Sequence, residues 1–484
     1  MVGSETNREH TVTTIETLLK TASAEDTQAL RSRLRGEVVA ADDEQYDTAR
    51  RVHNRTFDRR PAIIVRPQGT ADVAEAVKFA RSRGYEIAVR SGGHSAAGHS
   101  SVDGSLVIDF SAMKGISIDD RKKTARVEAG VTSGDLAGPA HAYGLSLSTG
   151  DTSTVALGGL VTGGGIGWMV RKHGLTIDNL ISAEGVTADG GVIRASAREH
   201  SDLFWAIRGG GGNFGIVTEF EFKLWGDGSV YGGALVLPAT PEVIRGYLDY
   251  AVSAPDELTT IGTVMHAPPA PFIPEEYVGK TVLLLKVVYA GDPAKGQRAV
   301  QPLRDLADPI ADVVSPIPYP VMFNFTAPSN EPAFAAVRSM FSNGLGDETI
   351  EAVIEQVEHA TTPICMVEMR PLGGAVARVA PGATAFGHRD KDYFVSAIAV
   401  WHDPSEDGDT NREWTAETFG RLRQDAAGTY ANFLGDEGRD RVREAYPSDT
   451  YAKLAVVKAR YDPRNVFKFN QNIKPASRGE EQAA

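Results

Sequence analysis

The 50 glycines of this 484-residue chain are bunched rather than scattered, and the bunching restricts the possible folds more than any other feature. The clusters are Gly92-Gly93, Gly158-Gly159, Gly163-Gly164-Gly165 with Gly167, and Gly209 to Gly212 with Gly215. Residues without a Cβ let the backbone bend sharply and turn successive N–H groups toward one point, which holds a pyrophosphate without basic side chains. The bland alternative is that each cluster is a tight turn. The run Gly210 to Gly215 satisfies G-x-G-x-x-G, yet a dinucleotide fingerprint must follow a strand and open a helix. Here the helix-like SDLFWAIR comes first and the strand-like GIVTEFEF after, so a nicotinamide Rossmann fold is rejected. Two separated glycine segments, near 92 and near 165, instead predict a diphosphate gripped from two sides by loops of one domain.

The length implies two or three packed units. Hydrophobic residues at 42% and charged residues at 23% give the balance of a globular chain with a large core. With 63 acidic against 50 basic residues the formal charge is -13, which argues against a polyanionic partner such as nucleic acid. The opening stretch MVGSETNREHTVTTIETLLKTASAED has no apolar run of signal-peptide length, and no later run has bilayer-spanning length. A cytoplasmic protein without a membrane partner is expected. Cys365 is the single cysteine, so an internal disulfide and a thiolate metal cage are both excluded, and no His, Asp and Glu set has metal-site spacing. Oligomeric state is not legible.

Residues 1–35 read as a frayed start and a polar helix. The segment from Ala71 to Arg83 spaces Val73, Val77 and Ala80 as a helix, with Thr70 as its cap and Gly84 as its end. Strand signals follow in EIAVR, LVIDF and ARVEAGV, then in a hairpin around Ala188 to Gly191. GIVTEFEFKL alternates apolar and polar positions, a strand with one wet face, and WGDGS reads as a loop. Beyond it, KTVLLLKVVYA and DYFVSAIAVW read as strands, while EPAFAAVRSMF and ETIEAVIEQVEHA read as helices. A last helix, TYAKLAVVKARY, stops at Asp462-Pro463. The fold class is therefore α+β throughout.

Four ordered stretches carry a resemblance: IIVRPQGTADVAEAVKFARSRGYEIAVRSGGHSAAGHSS, GLVTGGGIGWMVRKHGLTIDNL, DLFWAIRGGGGNFGIVTEFEF and YDPRNVFKFNQNI. Together, from about Arg60 to Pro475, the chain resembles the berberine bridge enzyme-like flavoproteins, FAD-linked oxidases with the vanillyl-alcohol oxidase (PCMH) type of FAD-binding fold. The resemblance implies an N-terminal tail and helix over 1–35 and an FAD-binding domain over 36–225. It implies an α+β substrate domain over 226–430, an antiparallel sheet flanked by helices. Residues 431–475 then return to the FAD domain, and 476–484 form a tail. It also implies that the histidine of Arg90-Ser91-Gly92-Gly93-His94 is bonded to the flavin. Such a bond is understood as a neutral imidazole nitrogen attacking an electrophilic methyl carbon. A lone histidine without this context is more often structural.

Around His94 the resemblance adds Ser95, Gly98, Gly150, Asp151, Thr154, Gly158, Gly159, Gly163, Gly164, Gly165, Gly167, Gly215 and Val217 to the cofactor site. Asn470 and Asn472 are expected to donate to the flavin ring. Many relatives carry a second flavin bond through a cysteine, where Thr152 stands here. A threonine hydroxyl is far too weak an acid to replace a thiolate, so one covalent attachment is expected. Cys365 is expected to be a small core residue. Ile166 and Phe433 stand where plant relatives have tyrosines, which leaves Tyr430 as the first catalytic candidate, with packing as its alternative. His388 with Arg389 is expected to orient an anionic or carbonyl substrate, or else to be a solvated loop pair. Tyr461 and Asp462 are expected to end a helix, and Trp168 and His173 are assigned no chemical role.

The leading expectation is an oxidase that takes a hydride from a small organic substrate and returns the electrons to molecular oxygen as peroxide. A dehydrogenase with another acceptor and a flavoprotein that sequesters a toxic small molecule stay open beside it. The substrate itself is not written in the chain.

Overall fold

The computed structural model describes residues 21–360, 362, 364–406 and 408–477. What was expected of residues 1–20 and of 478–484 lies outside the described residues.

Three sheets organise the chain. The first contains β1 (Glu37–Ala40), β2 (Ile63–Arg66), β3 (Ile87–Arg90) and β4 (Leu106–Asp109) in the order β1-β2-β4-β3. Its inner strands run parallel and β1 runs antiparallel to β2. The second contains β5 (Ile116–Asp119), β6 (Thr124–Glu128), β7 (Leu180–Val186), β8 (Val192–Ser196) and β9 (Ile216–Lys223), all antiparallel in the order β5-β6-β9-β7-β8.

The helix Thr70–Arg83 packs its buried Val73, Ala76, Val77 and Ala80 into the core shared by these two sheets. That spacing is the apolar stripe of one helix face. Gly84, at φ 68°, ends the helix in the left-handed conformation that glycine adopts without strain. Thr70, expected as the cap, is instead the first helical residue after Gly69. Its hydroxyl donates to Glu184 Oε1 at 2.8 Å, tying the helix to β7. β9 alternates buried and half-buried positions, matching its sequence pattern.

The third sheet has eight strands: β10 (Ser229–Pro238), β11 (Leu258–His266), β12 (Thr281–Tyr289), β13 (Ala311–Asp312), β14 (Ser315–Pro318), β15 (Phe334–Ser342), β16 (Ile364–Pro371) and β17 (Tyr393–Trp401). Its path is β13-β10-β12-β11-β16-β17-β15, with β14 also on β10. One face is covered by the helices Pro241–Ser253, Pro293–Arg304, Asp347–Glu358 and Gly408–Leu422. Leu285, Val367, Val395 and the wholly buried Cys365 belong to the core between them. The helix expected across EPAFAAVRSMF is the strand β15, paired with β17 at nine successive positions. Its alanines suit a helix, but Met340 enters the helix-side core while Ala335 and Val337 face the other way. Period-two burial therefore overrides local propensity.

After the third sheet the chain returns to the first core, where Tyr430, Leu454, Phe467 and Ile473 are buried. The helix Ser448–Tyr461 ends at Asp462, as its sequence indicates. Lys458 donates to Asp462 Oδ2 at 2.7 Å, and both side chains are fully buried.

Candidate active site

The helix-free face of the third sheet looks across a cavity of about 1570 Å³ at loops of the first two sheets. Drug-sized ligands occupy roughly 300–1,000 Å³, so the space exceeds what one small molecule requires. Its floor is made by segments 91–96, 150–160 and 211–217, with 430–434 and 467–471 from the returning chain. Its roof is the sheet face together with the loop 265–272.

Of the residues expected at the cofactor, His94, Ser91, Gly92, Gly93, Ser95, Gly150, Asp151, Gly158, Gly159, Gly215, Val217 and Asn470 line this one cavity, and so does Tyr430. Gly92 shows why the loop lacks a side chain there: a Cβ would stand 2.7 Å from the Ala156 nitrogen. Arg90 lies beneath the loop, paired with Asp109 at 2.8 Å and donating to the Ala49 and Arg51 carbonyls. Gly98 packs beneath the Phe57 ring.

The cluster Gly163, Gly164, Gly165 and Gly167, expected to grip a diphosphate, does not line the cavity. It makes close backbone approaches to Asn432, Phe386, Thr176 and Thr149. Thr162 and Ile166 of the same turn do line the cavity, and segments 150–159 and 211–217 add further glycine wall. Asn472 also lies off the cavity, and the Asn470 amide is committed to the Gly212 and Phe467 carbonyls. The Asn470 Oδ1 is buried without a partner, which leaves one polar acceptor for a bound group.

His388 is corrected more sharply. It lies outside the cavity, stacked on Phe341 at 4.9 Å with Nε2 on the Glu444 carbonyl, and burial lowers its pKa. Arg389 is paired with Asp178 at 2.7 Å and is a buried structural cation rather than a substrate clamp. Tyr430 stays at the wall, but its hydroxyl accepts from the Gly165 N–H at 2.8 Å and the Asn432 amide at 2.9 Å. Burial pushes its pKa up to about 12, so near pH 7 it keeps its proton and stands as a hydrogen-bond post under the glycine turn. Trp168 is core, and His173 is held by Asp227 at 2.6 Å.

His94 stacks on His53 with ring centroids 3.8 Å apart. Burial, reinforced by His53, pushes the His94 pKa down to about 3, so the ring is neutral near pH 7. Its Nε2 lies 3.1 Å from Thr154 Oγ1, and that hydroxyl donates on to Asn330 Oδ1 at 3.3 Å. Thr154, although off the cavity lining, therefore touches the ring that the sequence singled out. A hydrogen bond to the Thr154 backbone also acts on the ring and opposes, without reversing, that downward shift.

Sequence reasoning missed a second group altogether. Lys286, Glu368 and Arg370 project from the sheet into the cavity, and Arg370 reaches across to Asp151 at 2.6 Å. Glu368 accepts from Arg370 at 2.7 Å and from Lys286 at 3.4 Å. Burial alone would raise the Glu368 carboxyl, but the charges of Arg370 and Lys286 outweigh it and hold the group well below the usual range. The available signal was charge inside apolar strands, in TVLLLKVVY and ICMVEMRP.

The glycine-walled cavity beneath an antiparallel sheet fits a PCMH-type flavoprotein, and the chain's relatives are of that class. Residues 61–196 match the family described as FAD binding domain, and residues 429–474 the one described as berberine and berberine like. An FAD-linked oxidoreductase of Bacillus subtilis is 33% identical over 458 residues, covering 93% of this chain and 99% of that protein. The (R)-6-hydroxynicotine oxidase of Paenarthrobacter nicotinovorans is 30% identical, over 91% of this chain and 97% of the relative. Among solved structures, 6-hydroxy-D-nicotine oxidase from Arthrobacter nicotinovorans superposes with a TM-score of 0.81 at 28% identity, covering 92% of this chain and 98% of that one. The chain belongs to the berberine bridge enzyme-like family of FAD-linked oxidoreductases. It is an oxidoreductase that binds FAD. Among the described residues no helix is long and apolar enough to cross a membrane, and no group of three or more His, Cys, Asp and Glu residues is placed to hold a metal ion.

Proposed function

We propose that this enzyme is an oxidase carrying FAD through a single covalent bond from His94, and that it removes a hydride from a small organic molecule and passes the electrons to oxygen. The observation that carries this reading is the His94 ring: neutral, in the wall of a cavity with room for cofactor and substrate, and oriented by Thr154. A neutral imidazole is the form that can act as nucleophile. Thr152 offers no second thiolate, so the attachment is single.

The flavin, when bound, supplies a two-electron acceptor. The chain's own residues do the rest. Backbone amides of 91–95 and 211–217 are the ones that would receive the phosphates, and the closed sheet above would limit water at the reacting face. This reading divides the chain into an FAD-binding part over 36–225 with 431–475 and a substrate part over 226–430, and the segments that line the floor and the roof support that division.

Acid precipitation of the purified yellow protein tests the bond. The colour should stay with the polypeptide, whereas His94→Ala should release it to the supernatant. Pigment released equally from both proteins removes the covalent claim. Stopped-flow mixing of the reduced protein with oxygen should reoxidise it rapidly with one peroxide per flavin; sluggish reoxidation removes the oxidase claim and leaves a dehydrogenase.

A further inference from the structure

The ring stacked on His94 is another imidazole. His53 lies on it with ring centroids 3.8 Å and planes 26° apart, and both side chains line the cavity. The backbone holds His53 from both sides: its N–H donates to the Gly93 carbonyl at 3.1 Å, and its carbonyl accepts from the Ala333 N–H at 3.2 Å. Asn54 beside it closes a further pair of bonds on Ala335, donating to its carbonyl at 3.2 Å and accepting from its N–H at 3.3 Å. The residue is thus fixed between the glycine loop and β15, yet neither of its ring nitrogens has a hydrogen-bond partner among the described residues.

Burial lowers the His53 pKa from its ordinary 6.5, so near pH 7 the ring is neutral and carries a free lone pair. Glu331 favours the protonated ring, and Arg55 disfavours it. His53 in turn lowers the pKa of His94, so a proton taken up by His53 keeps His94 neutral and nucleophilic. Bonding His94 to a flavin methyl carbon requires such an acceptor, because a C–H bond of that carbon must break as the C–N bond forms. Asp151 and Glu368 are held by Arg370, while burial raises Tyr430 and Tyr446 so that they keep their protons. His99, His266, His402 and Glu331 also line the cavity, but of all these groups only His53 is stacked on the ring that forms the bond.

Resting on the covalent reading above, we propose that His53 is the base of flavin attachment, taking the proton that the flavin methyl carbon loses as His94 bonds to it. One C–H bond breaks and one C–N bond forms. The C–H electron pair passes into the flavin, which is reduced by two electrons and takes two protons in all, one carried by His53 and one from the His94 N–H. Oxygen then removes both electrons and both protons as peroxide, which leaves the attached flavin oxidised and His53 neutral again.

The test mixes full-length chain prepared without flavin with FAD in air, and follows the colour that stays with the acid-precipitated polypeptide over time. His53→Phe keeps a stacked ring without a lone pair, and His53→Gln keeps a polar side chain without a basic nitrogen. Both should attach flavin about a hundredfold or more slower than wild type, the worth of general-base catalysis, while the initial binding of FAD, read from flavin fluorescence, stays within about threefold. Imidazole supplied to His53→Ala should restore the rate at about pH 8 and not at about pH 5, where it is imidazolium. Attachment at the wild-type rate in His53→Phe or His53→Gln, or no rescue by imidazole, overturns the proposal. If His53→Phe does not fold, His53→Gln and the rescue decide. Wild-type colour that washes away in acid strikes the covalent reading and the base with it, whereas colour retained equally fast by wild type and both variants strikes the base alone.

Discussion

His94 is buried against a second histidine, and its proton equilibrium reports both facts. Its pKa is pushed to about 3 in the folded chain, by burial first and then by His53, from an ordinary 6.5. A ring that refuses a proton when folded costs stability as pH falls from about 6.5 to about 3, because the unfolded chain protonates first. For protein prepared without flavin, urea midpoints should drop through that window. His94→Ala should flatten the slope by up to roughly 1.4 kcal/mol per pH unit. Some slope remains, since burial lowers His53 and His99 too; identical slopes would mean the His94 ring is not held neutral. Arg370 is the other residue whose neighbours fix its role, with Asp151 at 2.6 Å and Glu368 at 2.7 Å. Arg370→Met should cost about 3–5 kcal/mol in denaturant unfolding, because it leaves Asp151 without its cation and Glu368 with Lys286 alone. Adding Asp151→Asn should recover part of that loss. His94 was legible because its motif is local in sequence. Lys286, Glu368 and Arg370 were not, because they meet only once β12 and β16 are set either side of β11.

Elements were legible where burial obeys a single period over many residues. The helix Thr70–Arg83 and β9 were read from 3.6-fold and two-fold patterns, and the helix Ser448–Tyr461 from its stop at Pro463. β15 was misread because its alanines fit both periods, and only its pairing with β17 selects the strand. The glycine turn near 165 is harder to read, because a bare backbone serves a close packing contact as well as a ligand. One element end bears directly on the site. Lys458, on the last helix, donates to the Asn213 carbonyl at 2.7 Å and the Phe467 carbonyl at 2.9 Å. It thereby joins two cavity-lining segments, 211–217 and 467–471. Lys458→Met leaves the buried Asp462 without its cation, held only by the Val466 and Phe467 N–H groups, which should cost about 3–5 kcal/mol. Limited proteolysis should then cut first within 463–473, and wild-type resistance there would show that the pin is dispensable.

The cavity belongs to neither half of the molecule. The polar ties that join its roof and floor include Thr326 Oγ1 to the Asp151 carbonyl at 2.6 Å, the Arg55 N–H to the Ala333 carbonyl at 2.8 Å, and Arg370 to Asp151. A cavity of about 1570 Å³ between the halves leaves much apolar and backbone surface without protein partners. A ligand that touches both walls therefore adds contacts that the folded chain has and the unfolded chain lacks, and stability must rise with its concentration. His94→Ala isolates this effect, since any flavin it holds is held reversibly. Added FAD at a hundred times its dissociation constant should stabilise that variant by about 2.7 kcal/mol, and the gain should grow with the logarithm of concentration. Thermal unfolding at stepped FAD concentrations measures it, with FMN as the comparison that lacks the adenylate half. A melting temperature raised by FAD and less by FMN means that the dinucleotide spans the glycine walls at 91–95 and 211–217. A melting temperature indifferent to both would mean that the cavity, for all its volume, is not where the flavin sits.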